Sequence, residues 1–149
     1  MSNPKILYAV ESLIGGEIFP MRFTTPAPKV PKVAAGAVPW HQDKSYWPDA
    51  NSNPVTTVWI PLVDSTPENG CLHVWPRTHK KQLLKHMSTP NNSDHVRWSV
   101  DLRYQPTDQD RMPQHGAGFL ARSRKYPERV ADLEDWLANR PEHEAAMSV

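Results

Sequence analysis

Two residues of this chain could grip a metal ion together. His41 and Asp43 stand one residue apart in the run Val38-Pro39-Trp40-His41-Gln42-Asp43. In an extended segment, residues two apart point to the same side, so an imidazole and a carboxylate can take adjacent corners of one ion. Two ligands make a poor site, and a third must come from elsewhere. Alone, the pair also reads as two polar loop residues. A second pattern lies at His95–Tyr104, where Val96, Trp98, Val100, Leu102 and Tyr104 alternate with His95, Arg97, Ser99, Asp101 and Arg103. A strand there carries all the polar members on one face. Arg97 offers a planar fork of donors that holds a carboxylate by two parallel hydrogen bonds, and Ser99 points the same way. The competing reading of Arg97 is a strand-edge pair with an acidic neighbour.

These residues need elements to hold them. Ile6, Leu7, Val10, Leu13 and Ile14 recur at helical spacing after Pro4, and Gly15-Gly16 supplies a stop. Glu17–Thr24 reads as a strand, with Pro20 favouring an edge. Residues 26–39, rich in Pro, Ala, Lys and Val, suit an extended or mobile loop better than a packed element. Val55–Val63, with Trp59, predicts a largely buried strand. Cys71–Trp75 predicts another, joined to it as a hairpin through Asn69-Gly70. Gln82–Ser88 fits either a strand or a helical turn, Gln105–Ala121 a polar loop, and Pro127–Leu137 a closing helix with Val130, Leu133, Trp136 and Leu137 on one face. The tail at 141–149 is expected to fray.

With 149 residues and a mass of 17.0 kDa, the chain predicts a single domain, 1–149, with a modest core. A mean hydropathy of −0.64 and 16 prolines point to loops and short elements, mainly β. The net charge of +1 gives no overall attraction to nucleic acid or anionic membrane, so any partner is expected to be a small molecule bound at a local site. No apolar run approaches the roughly 18 residues that span a bilayer. The single cysteine, Cys71, cannot form an intrachain disulfide, and a cytoplasmic location is the expectation.

Several blocks, in order, carry a resemblance: V-P-W-H-Q-D at 38–43, T-V-W-I-P-L at 57–62, N-G-C-L at 69–72, P-x-T-H at 76–79, R-W-S-V-D-L-R-Y at 97–104, and Gly118–Arg124. Together the blocks resemble the phytanoyl-CoA dioxygenase family of iron(II)- and 2-oxoglutarate-dependent oxygenases. The resemblance implies a double-stranded β-helix, or jelly roll, with short helices near both ends and the metal at its mouth. It implies that His41 and Asp43 are iron ligands, and that the third ligand is His86, in a segment resembling H-x-S-x-x-N that begins eleven residues before Arg97. Arg97 and Ser99 would then receive the distal carboxylate of 2-oxoglutarate, with Trp59 lining the pocket or serving as a core aromatic. Iron(II), 2-oxoglutarate and dioxygen would be the cofactor and cosubstrates for hydroxylating a small organic substrate, since Asp43 stands where the related halogenases carry a small residue.

Two features depart from the family pattern. The chain starts at the first helix without the long N-terminal region of family members, and His86 follows Asp43 by only 43 residues, fewer than the family pattern. An incomplete jelly roll is therefore expected. The run Leu83-Leu84-Lys85-His86 also resembles the segment that follows P-x-T-H in longer members, where this histidine is a loop residue. On that reading the chain is an inactive relative with an incomplete metal site. His79, in the P-x-T-H block, is expected to shape a loop by hydrogen bonding; His73, His95, His115 and His143 carry no partner pattern.

Overall fold

The computed structural model describes residues 1–21, 25–43, 55–77, 85–109, 119–132 and 134. The chain forms two compact units, Met1–Arg22 with Tyr104–Val149, and Phe23–Arg103.

The first unit opens with helix α1, Pro4–Ile14. Asn3 caps it by accepting the Lys5 N–H at 3.0 Å, and Pro4 occupies a first-turn position where a missing N–H costs nothing. Gly15, at φ +89°, ends it, its N–H donating to the Glu11 carbonyl at 2.9 Å. This is the stop that the glycine pair predicts, although of the apolar stripe only Leu7 and Val10 are buried and Leu13 is exposed. Strand β1, Ile18–Pro20, pairs antiparallel with the last residues of a long strand at Ser99–Pro106: Ile18 opposes Pro106, Phe19 opposes Gln105 and Pro20 opposes Tyr104. Ile18, Phe19, Met21 and Tyr104 join Leu7, Val10 and Ala121 in an apolar core. Burial pushes the Tyr104 phenol up to about 12, and its hydroxyl donates to the Met1 carbonyl at 2.9 Å. Glu11 is held by Arg122 at 2.7 Å and by Arg124.

The second unit contains the short strands β2 (Thr25–Pro26), β3 (Val38–His41), β4 (Thr56–Pro61), β5 (Leu72–Val74) and β6 (His86–Ser88), with the long strand as β7. β2 pairs antiparallel with β7 at Thr25–Asp101 and Pro26–Val100, and β4 also pairs with β7. The other sheet has the order β3-β6-β5. Two antiparallel sheets and one α-helix among the described residues make a mainly β fold.

Several expectations are corrected. The hairpin is not formed: β4 joins β7 and β5 joins β6, so the connection crosses between sheets. Asn69 closes that crossing as a turn, its side chain accepting the Thr66 N–H at 2.8 Å and donating to the Asp64 carbonyl at 2.7 Å. No residue of β4 is fully buried; among the described strands it pairs with β7 alone. Residues 26–39 contain a 3-10 turn at Ala34–Gly36, the first half of β3 and the buried Lys29. Gln82–Ser88 resolves as a strand over its last three residues. The start of the expected closing helix is instead a 3-10 turn, Pro127–Arg129, followed by an extended and exposed Val130, while Glu134 further on is helical; Leu133, Trp136 and Leu137 lie outside the described residues, as do His79, His115, His143 and the tail at 141–149.

Candidate metal and carboxylate site

β3 brings His41 to β6 by a shift of register. Val38 opposes Ser88 and His41 opposes His86, so β3 spends three residues where β6 uses two. Without the extra residue, Trp40 would oppose His86. The shift turns the imidazole toward its partner and leaves Trp40 exposed on the other side, against Trp75 at 5.8 Å between ring centroids.

The result is a convergence of three donors. Asp43 Oδ1 lies 3.5 Å from His41 Nε2 and 3.2 Å from His86 Nε2, and the two imidazole rings are 4.2 Å apart. One ligand atom from each residue falls within 4.8 Å of the others, the spacing expected of atoms that each reach about 2.0–2.2 Å to a common ion. His41 Nδ1 lies 2.8 Å from the Pro39 carbonyl, which assigns the proton to that nitrogen and turns the Nε2 lone pair toward Asp43. Thr57, on β4, donates to Asp43 Oδ2 at 2.9 Å, leaving Oδ1 for the histidines. Burial lowers the pKa of His86, with Asp43 opposing and His41 adding to the effect, and so favours the neutral imidazole that a metal requires. Two histidines and one carboxylate are the facial set of non-haem iron sites, which leaves open positions for other ligands. The residues fit a divalent ion of this type.

The second part of the site stands on β7 and its approach. Arg97 is 4% exposed and Ser99 fully buried. Arg97 donates to Ser99 Oγ at 2.6 Å and to the Gly70 carbonyl at 3.2 Å, and its guanidinium lies 5.3 Å from the centroid of the Trp59 ring. The polar face of the alternating strand therefore points inward at Arg97 and Ser99, whereas Trp98 points out. Burial lowers the Arg97 pKa, and Asp101 acts against this. Asp101, which Arg103 pairs at 3.5 Å, also acts electrostatically on Asp43 and His86, so the metal-type cluster and Arg97 share a neighbour. Burial raises the Asp101 carboxyl. All six residues singled out from sequence thus fall in one unit, with Trp59 half-buried against Arg97.

Comparison with known proteins fits this arrangement. A sequence profile of the phytanoyl-CoA dioxygenase family matches residues 2–116. The chain belongs to that family. It is similar to the bovine peroxisomal phytanoyl-CoA dioxygenase, 35% identical over 86 residues, which cover 56% of this chain and 25% of the relative. It is also 32% identical over 79 residues to the phytanoyl-CoA dioxygenase domain-containing protein 1 homolog of Dictyostelium discoideum, covering 49% of this chain and 27% of that protein. The matched stretch thus spans about a quarter of each curated relative. Among solved structures, the non-haem monooxygenase ThoJ without metal shares the fold at a TM-score of 0.64 and 20% identity, over 82% of this chain and 59% of the other. Its nickel complex gives 0.60 at 20% identity, over 95% and 63%. The fold is therefore the jelly roll of non-haem oxygenases, as the sequence blocks imply.

Sequence reasoning passed over Lys29 and Asn91. Asn91 is fully buried, its amide donating to the carbonyls of Lys29 at 2.8 Å and His95 at 2.7 Å, while its oxygen accepts from Ser93 N–H and Oγ. The H-x-S-x-x-N pattern contained Asn91, but its partners are remote in sequence. No helix among the described residues is long and apolar enough to cross a membrane.

Proposed function

We propose that this chain is an iron(II)- and 2-oxoglutarate-dependent oxygenase that hydroxylates a small organic substrate, in a reducing compartment such as the cytoplasm. The observation that carries this reading is the convergence of His41 Nε2, Asp43 Oδ1 and His86 Nε2. It also supports His86, rather than a residue elsewhere, as the third ligand.

Bound iron with its cosubstrate would supply the oxidising chemistry, dioxygen taking two electrons from 2-oxoglutarate and two from the substrate: 2-oxoglutarate, dioxygen and R–H become succinate, carbon dioxide and R–OH. His41, Asp43 and His86 would hold the metal and leave positions open for the 2-oxo acid and dioxygen. The Pro39 carbonyl and Thr57 hydroxyl orient two of the three donors. Arg97 and Ser99 would anchor the distal carboxylate, with Trp59 stacked against the guanidinium.

Anaerobic titration of iron(II) with 2-oxoglutarate tests the reading through the visible charge-transfer band of the chelate. We expect the band in the parent chain and its loss in His86→Ala. A folded parent without the band would instead mark an inactive relative of such oxygenases.

A further inference from the structure

Lys29 is only 5% exposed, and lysine is rarely enclosed without an acidic partner. Its N–H donates to the Arg97 carbonyl at 2.9 Å, and its carbonyl accepts the Arg97 N–H at 3.1 Å. In an antiparallel pair of this kind the two side chains leave the same face from opposed positions. Two cations are thereby buried side by side. Neutral oxygens meet them: Lys29 Nζ donates to Ser88 Oγ and to the Thr89 carbonyl, both at 2.6 Å, while Arg97 donates to Ser99 Oγ and the Gly70 carbonyl. One ammonium hydrogen remains, and Arg97 Nε is buried without an acceptor. Among the described residues neither cation forms an ion pair. Asp101, the carboxylate that acts on Arg97, is paired with Arg103. Burial first, and repulsion from Arg97 second, push the Lys29 ammonium down to about 8.

The surroundings are shaped to the lysine stem. Gly70 adopts φ +78°, and a Cβ there would stand 2.5 Å from Lys29 Cδ and 2.5 Å from the Thr89 carbonyl oxygen. Ser88, which receives the ammonium, follows His86 by two residues on β6, so both lie on one strand face about 7 Å apart. That spacing is of the order of the length of a five-carbon dicarboxylate.

We propose that Lys29 completes the cosubstrate pocket, holding the distal carboxylate of 2-oxoglutarate between its ammonium and the Arg97 guanidinium. The identity of the ligand rests on the oxygenase reading; the two-cation carboxylate receptor does not depend on iron. The test titrates 2-oxoglutarate, and 2-oxobutanoate, which has the same chelating end but no distal carboxylate, into the iron(II)-loaded chain without oxygen. The parent should strongly prefer 2-oxoglutarate. Lys29→Met should lose about tenfold to a hundredfold of that preference, the worth of one charge-assisted hydrogen bond, with 2-oxobutanoate binding unchanged. Equal weakening of both acids, or a preference equal to the parent's, overturns the proposal and leaves Lys29 a packing residue. Lys29→Gln, which keeps a donor but drops the charge, gives the same reading should the methionine variant fail to fold. If neither acid produces the chelate band in the parent, the oxygenase reading fails on its own. Thermal unfolding of the metal-free chains with glutarate and butanoate then decides on Lys29: glutarate should protect the parent and not the variant, and an equal response of the two chains overturns the proposal.

Discussion

The two units fill their interiors with different chemistry. In the first, Leu7, Val10, Ile18, Phe19, Met21, Tyr104 and Ala121 form an apolar core. In the second, Lys29, Ser88, Asn91, Arg97 and Ser99 are buried, and Leu102 is the apolar side chain buried with them among the described residues. Apolar burial stabilises a fold in any solution. Buried cations and hydroxyls need partners, and where the chain leaves donors over, a ligand must supply the acceptors. Apolar side chains thus dominate the first interior, beside the buried Gln105 and Ser123, whereas the second leaves buried donors for a ligand to satisfy.

The sharpest way to break this comparison is one substitution in each unit. Ile18→Ala should destabilise the chain by about 2–5 kcal/mol in denaturant unfolding, through lost transfer energy and a residual cavity. His41→Ala should abolish metal binding and succinate formation while leaving the metal-free stability nearly unchanged. If both changes unfold the protein alike, the distinction between the interiors does not hold.

A smaller effect separates the units by ligand. With metal bound, 2-oxoglutarate at a hundred times its Kd should add about 2.7 kcal/mol of stability. Hydrogen exchange should slow at β3, β6 and the first half of β7, and remain unchanged in α1 and β1. Uniform slowing would mean that the whole chain is ordered by the ligand.

The smallest effect is set by Glu17. Its carboxyl is held below the ordinary carboxylate value by the Ser123 hydroxyl at 2.6 Å, next by the Lys125 N–H at 2.9 Å, and also by the Arg124 N–H at 2.8 Å. A depressed carboxyl contributes stability that is present above its unfolded pKa and is lost as pH falls through the folded one. Glu17→Gln should therefore lower Tm slightly at neutral pH and show a shallower loss of stability in acid than the parent. An equal acid response in the two chains would remove Glu17 from the account.

What could be read from sequence follows the range of the interaction. Helix α1 was legible because its start at Pro4, its stripe and its glycine stop are all local, although the Asn3 cap went unread. The inward face of Arg97 and Ser99 was legible because alternation in a strand is local too. The fate of β4 and β5 was not, since a turn dipeptide does not say which sheet each strand joins. The register shift on β3 was also hidden: nothing in Val38–His41 reveals that one extra residue will exchange Trp40 for His41 opposite His86. Lys29 was read as part of a loop because burial of a cation depends on partners 59 to 68 residues away.

The Trp40–Trp75 pair carries an optical consequence. Trp40 stands on β3 and Trp75 follows β5, the two strands that flank β6, and their indoles are tilted by 51° at 5.8 Å. Indoles held so close and so inclined couple their excited states, and the coupled pair absorbs left- and right-handed light unequally. The handed signal belongs to the arrangement and disappears once β3 and β5 part from the strand that carries His86. The protein thus contains its own chromophore for the integrity of the sheet on which two of its three metal-type donors stand.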